Sequence, residues 1–317
     1  MPIDPTPIKR RDPPRDEPQK VEDQKAPAAV GSLVERPKYR FSDMILAEET
    51  LQEIQDAISV FQFREKLFVE WKLANVIKSP ANMCLDFYGE PGTGKSMAAN
   101  AVAAQLGIPI MRVDYADIES KYVGETSKNL TKLFDRASAG NALLLFDEAD
   151  ALLSRRVTEM SSVTDVSVNQ TRSVLLTLLD RFSGIVIFTT NFISNYDPAF
   201  LRRIPYHIHF PLPDEAGRLA LLRHYLSDTV PNTIDFAQVA RDRRGISGAD
   251  IANATLTAAL RTARAGLASM SQAEFEAALD RIARSKRDNS GWSVVEEREV
   301  SERYAVSQIE KTRGGTV

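Results

Sequence analysis

Read for the spacing of apolar and polar positions, the chain falls into four stretches. Residues 1–40 hold half of the 16 prolines and almost no aromatics. Such a segment buries too little apolar surface to offset the entropy of ordering, which predicts a disordered leader. From Phe41 the pattern changes. Leu51, Ile54, Ile58 and Phe61 recur at helical spacing, and Phe63, Leu67, Phe68 and Trp71 suggest a second apolar helix face. Short strand-like runs then appear at Met83–Tyr88, Ile110–Val113, Ala142–Phe146, Ile185–Phe188 and His207–Phe210, of which Ala142–Phe146 is continuously apolar. Between them lie the helix formers after Ser96, the stretch Thr126–Ala137 and the stretch Val166–Arg181. Short buried strands alternating with helices predict an α/β fold, a doubly wound parallel sheet over about 41–212. Beyond Pro213 the strands stop. Asp214–Leu226, Phe236–Arg241, Ala249–Ala265 and Gln272–Arg284 read as helices, so 213–285 is expected to be a small all-α lid. The charged residues 286–317, around Trp292, form a docking helix or a loose tail. Asp86 stands out inside the first apolar strand, because a buried carboxylate needs a partner and local sequence offers none.

Composition adds limits. At 317 residues the chain suits two domains, and 43% hydrophobic residues with a net charge of −3 fit a soluble protein. No apolar run reaches the ~18–20 residues of a membrane span, and Met1–Pro5 lacks the order of a signal peptide. Cys84 is the only cysteine and lies in an apolar strand, which excludes a disulfide framework and suits a cytosolic location. Near-neutral charge argues against strong nonspecific nucleic-acid binding.

The chemistry is concentrated at strand ends. Gly89-Glu90-Pro91-Gly92-Thr93-Gly94-Lys95-Ser96, followed by Met97, has the GxxxxGK(S/T) spacing between a strand and a helix. The glycines let backbone N–H groups curl round a phosphate chain, and the helix N-terminus adds partial positive charge. Lys95 is expected to reach the outer phosphates, and the Ser96 hydroxyl to bind Mg²⁺. Asp147 and Glu148 follow the apolar run that ends at Phe146, on the sheet edge where α/β folds bind ligands. Asp147 would help hold Mg²⁺ and Glu148 would polarise the attacking water. Asn191 closes the next strand, where an amide could orient that water. A glycine-rich turn, an acidic helix cap and a turn asparagine are the bland readings of the three motifs taken singly. Their order in one chain argues against them.

Taken together, GEPGTGKS, SKYVGET at 120–126, LLLFDEAD at 143–150, TTN at 189–191, DPAFLRRI at 197–204 and GISGADI at 245–251 resemble an AAA+ ATPase of the classical clade, the group of katanin, spastin and FtsH. The resemblance covers about 41–285. It implies an ATPase that uses ATP and Mg²⁺, held between an α/β subdomain and a helical lid, usually in a homohexameric ring. It also implies that Arg202 and Arg203 act as arginine fingers in the neighbouring subunit's site. Many members place a second arginine three residues after the first, where this chain has Pro205, so Arg202 is the firmer match. Lys121, Tyr122 and Val123 correspond to a first pore loop that grips an extended polypeptide through ring area. The polar stretch 154–169, which begins near Arg155 and Arg156, corresponds to a second. Gly248 and Ala249 belong to the lid motif that approaches the nucleotide, with Ser247 as a helix cap.

The function implied is ATP-dependent remodelling or unfolding of a protein substrate. The sequence contains no HExxH and no membrane anchor, so the expectation is a stand-alone remodeller rather than a fused protease. One candidate class is the bacterial HORMA-remodelling ATPases of antiviral signalling, although no motif here singles it out. The alternative is an AAA+ nucleic-acid motor or loader, against which the aromatic KYVGE loop and the balanced charge both speak. A metal site built on His207, His209 and His224 lacks further ligands to complete it.

Overall fold

The structure is a computed structural model, and it describes residues 34–76, 83–113, 125–154, 163–191, 196–227 and 230–289. Its sheet has six strands, β1 (Val34–Glu35), β2 (Met83–Tyr88), β3 (Ile110–Val113), β4 (Leu143–Phe146), β5 (Ile185–Thr190) and β6 (Tyr206–His209). Their spatial order is β1-β3-β4-β5-β2-β6. All neighbouring pairs are parallel except β1 with β3. This is the doubly wound arrangement that the alternating pattern predicts. The strand just before the glycine-rich loop, β2, lies between β5 and β6, so the loop leaves the sheet beside their C-terminal ends. Such a crevice is where open α/β sheets bind ligands.

The helices are α1 (Glu48–Gln62), α2 (Lys95–Leu106), α3 (Glu125–Ala139), α4 (Asp150–Leu153), α5 (Val163–Arg181) and α6 (Pro198–Leu201), then α7 (Glu215–Tyr225), α8 (Phe236–Asp242), α9 (Gly248–Arg264) and α10 (Gln272–Asn289). Alternate residues of the strands point to opposite faces. Ile54 and Ile58 of α1 and Ala98, Ala99 and Val102 of α2 pack with Leu85, Phe87, Leu145 and Ile187 in one core. Phe134 of α3 meets Phe182 edge-on, with centroids 5.1 Å apart, and packs near Phe146, which stacks on Phe188 at 5.1 Å. Helices α7 to α10 enclose a separate core around Leu222, Ile251, Ala254 and Phe275.

Two details depart from the hydrophobic pattern. An edge strand, β1, precedes Phe41; two paired residues are too short to register as a period. Phe63 and Trp71 are exposed rather than core, and Lys66–Glu70 forms a single π-helical turn with the Lys66 ammonium 5.6 Å from the Trp71 ring centre. Apolar spacing there marks a helical turn with no described element to cover it. Cys84 is buried as expected, and burial pushes its thiol pKa far up.

Candidate nucleotide site

The glycine-rich loop is shaped by close backbone contacts. Gly89 has φ +144°, and a Cβ there would sit 2.2 Å from the Phe210 carbonyl oxygen. Next to it, the Phe210 N–H donates to the Tyr88 carbonyl at 2.8 Å. Gly92 has φ +81°, and a Cβ there would lie 2.6 Å from Ser247 Oγ and 2.7 Å from Ala249 Cβ. Only glycine fits either position. Thr93 Oγ1 donates to the Glu90 carbonyl at 2.9 Å and tightens the turn.

Lys95 opens α2, and its side chain folds back into the loop. Its ammonium donates to the carbonyls of Gly89 at 2.6 Å and Glu90 at 2.9 Å, and to Asn191 Oδ1 at 3.1 Å. Burial lowers its pKa, while Asp150, Asp147 and Glu90 oppose that shift. A cation buried here with only neutral acceptors is poised for an anionic phosphate.

Asp147 is the convergence point of the second motif. Its Oδ1 accepts from Ser96 Oγ at 2.8 Å and from Thr189 Oγ1, and its Oδ2 pairs with the guanidinium of Arg112. Arg112 stands at the end of β3 with its side chain 59% exposed, whereas that of Asp147 is 9% exposed. The Ser96 hydroxyl and the Asp147 carboxylate are hard oxygen donors at a helix N-terminus, and they fit Mg²⁺ beside a phosphate chain. Glu148 follows with φ +53°, which is unusual for a residue with a side chain. Its N–H donates to Thr189 Oγ1 at 3.1 Å, and the next N–H, that of Ala149, donates to the Thr189 carbonyl at 2.9 Å. These bonds from β5 turn the Glu148 carboxylate outward, where it is exposed and lines the cleft. Asn191 is held from the other side, because its N–H donates to Asp150 Oδ1 at 3.2 Å.

The start of α9, in the C-terminal helical part, forms one wall. Ser247 caps α9 in a reciprocal box with Asp250, and the Ala249 N–H donates to the Gly92 carbonyl at 3.2 Å. Lys286 of α10 reaches the same Asp250 carboxylate at 2.6 Å. The resulting cleft is about 1020 Å³ and includes Pro91, Met97, Gly248 and Ala249 in its lining. A second wall was missed in the sequence: Ile45, Leu46 and Ala47, just ahead of α1. The only trace they leave is a short apolar run before an acidic helix start. Arg112 was missed as well, because an arginine on a strand carries no motif.

Arg202, the C-cap, and Arg203 follow α6, whose N-cap Asp197 accepts from the Ala199 N–H at 2.9 Å. Phe200 and Ile204 are fully buried and anchor this turn. Arg203 is committed within the chain. Its Nε and Nη2 donate to the two oxygens of Asp180 on α5, each at 2.9 Å, and its Nη1 donates to the Ala199 carbonyl at 3.1 Å. Arg202 is exposed, and no ion pair holds it among the described residues. Lys121, Tyr122 and Val123 lie outside the described residues, as do Arg155 and Arg156. His207 faces Asp86 and His209 stacks on Tyr88 at 5.0 Å, so the two histidines serve different neighbours. Among the described residues no group of three or more His, Cys, Asp or Glu side chains is placed to hold a metal ion. Among them, too, no helix is long and apolar enough to cross a membrane.

Comparison with known proteins agrees with this geometry. The family model described as "ATPase family associated with various cellular activities (AAA)" matches residues 85–212. The chain is 35% identical over 267 residues to the ATP-dependent zinc metalloprotease FtsH of Cutibacterium acnes, a match covering 81% of this chain and 36% of that protein. It is 31% identical over 258 residues to the proteasome-activating nucleotidase of Methanoregula boonei, covering 79% of this chain and 58% of that one. For the proteasome-activating nucleotidase of Pyrococcus furiosus the identity is 32% over 266 residues, covering 81% and 65%. The chain thus spans about a third to two thirds of the length of these relatives.

Proposed function

We propose, from the premise that this chain carries an AAA ATPase domain of the classical AAA+ clade, that it hydrolyses ATP with Mg²⁺ and uses the energy to unfold or remodel a protein. The observation that carries the proposal is a pair of direct hydrogen bonds at one sheet edge, Lys95 to Asn191 and Ser96 to Asp147, with the backbone of α9 touching Gly92. Each group has a task in that reaction. Lys95 would exchange its carbonyl partners for phosphate oxygens, and Ser96 and Asp147 would hold a Mg²⁺, which supplies neutralisation of phosphate charge. Glu148 takes up the proton of the attacking water, and Asn191 orients that water. Phosphoryl transfer depends mostly on placement and electrostatics, which is what this arrangement supplies.

The finer reading is a homohexameric ring in the cytoplasm. In it Arg202 reaches the neighbouring subunit's γ-phosphate and Tyr122, flanked by Lys121 and Val123, drags the substrate through the pore. The exposure of Arg202, beside an Arg203 tied to Asp180, supports Arg202 as the finger and gives Arg203 the task of fixing its turn. The test is steady-state hydrolysis. Lys95→Ala should abolish nucleotide binding, and Glu148→Gln should bind ATP without turnover and retain its protein substrate. Stimulation of the wild type by DNA rather than by any polypeptide would overturn the remodelling reading. The narrowest version, in which the substrate is a HORMA-type complex of bacterial antiviral signalling, predicts a HORMA-domain protein in the Glu148→Gln pull-down.

A further inference from the structure

Asp86 is fully buried in β2, three residues ahead of the glycine-rich loop. Its two carboxylate oxygens have different partners. Tyr196 Oη donates to Oδ1 at 2.9 Å, and His207 Nδ1 lies 3.2 Å from Oδ2. Tyr196 Oη is also 2.8 Å from Oγ1 of Thr190, the residue before Asn191. Tyr196 begins the stretch that carries α6 and Arg202, and His207 lies in β6 where that stretch returns to the sheet. One carboxylate therefore ties down both ends of the segment 197–206. Nothing in the phosphate chemistry uses it, and an isolated carboxylate at this depth is costly, so the cluster persists only as a set of mutually satisfied partners.

We infer that Asp86, Tyr196 and His207 form a clamp that fixes the Arg202 turn to the strand feeding the nucleotide loop, and that they act as positioning residues for catalysis in the neighbouring subunit. The inference rests on the proposed trans role of Arg202. On the sheet side, Tyr196 also meets Thr190, which is joined by its peptide bond to Asn191, the residue that contacts Lys95. Tyr196 and His207 are 110 and 121 residues from Asp86 in sequence, and only the parallel pairing of β2 with β5 and β6 brings them together.

A clamp of this kind leaves a signature that loss of folding does not. Tyr196→Phe removes one hydroxyl and keeps the ring, so its own nucleotide site should stay intact while its Arg202 is misplaced. Alone, Tyr196→Phe should hydrolyse ATP about tenfold more slowly than the wild type, with nucleotide affinity within about twofold. Mixed with Lys95→Ala subunits, whose own sites are dead but whose fingers are sound, it should regain hydrolysis above either variant alone. Asp86→Asn should behave the same way, and Tyr196→Phe keeps the test available if the asparagine variant fails to fold. Arg202→Ala mixed with Lys95→Ala is the control. Rescue of the control without rescue of Tyr196→Phe overturns the clamp, and so does wild-type turnover by Tyr196→Phe alone. Failure of the control itself overturns the trans finger and the clamp with it.

Discussion

Arg203 grips Asp180 with two nitrogens, each 2.9 Å from a different carboxylate oxygen, and so joins the end of α6 to α5. Its neighbour Arg202 has no such attachment among the described residues. Adjacent arginines of identical chemistry are thus divided by geometry. Arg203→Ala and Asp180→Ala should each lower the melting temperature slightly. The pair is half-exposed, so the loss should be under about 1 kcal/mol. Arg202→Ala should leave melting unchanged and lower turnover by about a thousandfold, the lower end of what an arginine finger contributes. Calorimetry beside an ATPase assay separates the two, and equal loss of turnover in both variants would defeat the division of roles.

Gly92 packs against the start of α9, at its N-cap Ser247 and at Ala249 in its first turn. A methyl group there would collide with Ser247 and Ala249, and the backbone is left-handed as well. Gly92→Ala should push the lid away and weaken binding of a fluorescent nucleotide by about tenfold, the equivalent of ~1.4 kcal/mol. The sheet lies elsewhere, so far-ultraviolet circular dichroism should not change. Wild-type affinity in this variant would show that the lid contact is dispensable.

Asp86 makes stability depend on pH in a defined direction. Burial raises its pKa in the folded chain, against lowering by His207 and Tyr196 and further raising by Asp150. A carboxyl with a raised folded pKa favours folding while it is protonated. That contribution is present below the unfolded pKa of about 3.9 and is lost as pH climbs through the folded value. Asp86→Asn has no such loss. Its melting temperature relative to the wild type should therefore rise steadily from about pH 4 upward and then level off. A difference that is flat or falls with pH would contradict this sign. The clamp adds that any stability gained this way is accompanied by slower turnover.

Arg112 covers one oxygen of Asp147 in the cleft. A divalent cation shared by Ser96 and Asp147 has to compete with that guanidinium. Arg112→Ala should lower the Mg²⁺ concentration giving half-maximal nucleotide binding, by at most about fivefold because the arginine is largely exposed. Titration of Mg²⁺ at fixed nucleotide reads this directly, and an unchanged or higher midpoint would show that the pair does not compete with metal.

Much of this was legible in the sequence because it is local. Strands Met83–Tyr88 and Ile110–Val113 have the bounds that their runs suggest, the other three strands read from the sequence differ by one or two residues at one or both ends, and β1 was not foreseen. The loop Gly89–Ser96 and the pair Asp147–Glu148 announce themselves by spacing alone. What stayed hidden depends on contacts far apart in the chain. No window of sequence joins Asp86 to Tyr196 and His207, or Arg112 to Asp147, since sheet order decides both. Phe63 and Trp71 show the converse limit, because periodicity gives an apolar face without saying whether anything covers it.

The bonds of Lys95 to Gly89 and Glu90 also bear on what happens between turnovers. A buried ammonium that lost a phosphate partner and found nothing else would pull the loop apart or draw water inward. Here the loop's own carbonyls stand ready as substitutes, at 2.6 and 2.9 Å. In the proposed cycle, phosphate oxygens would take the place of these carbonyls, an exchange of partners rather than the opening of an uncompensated charge.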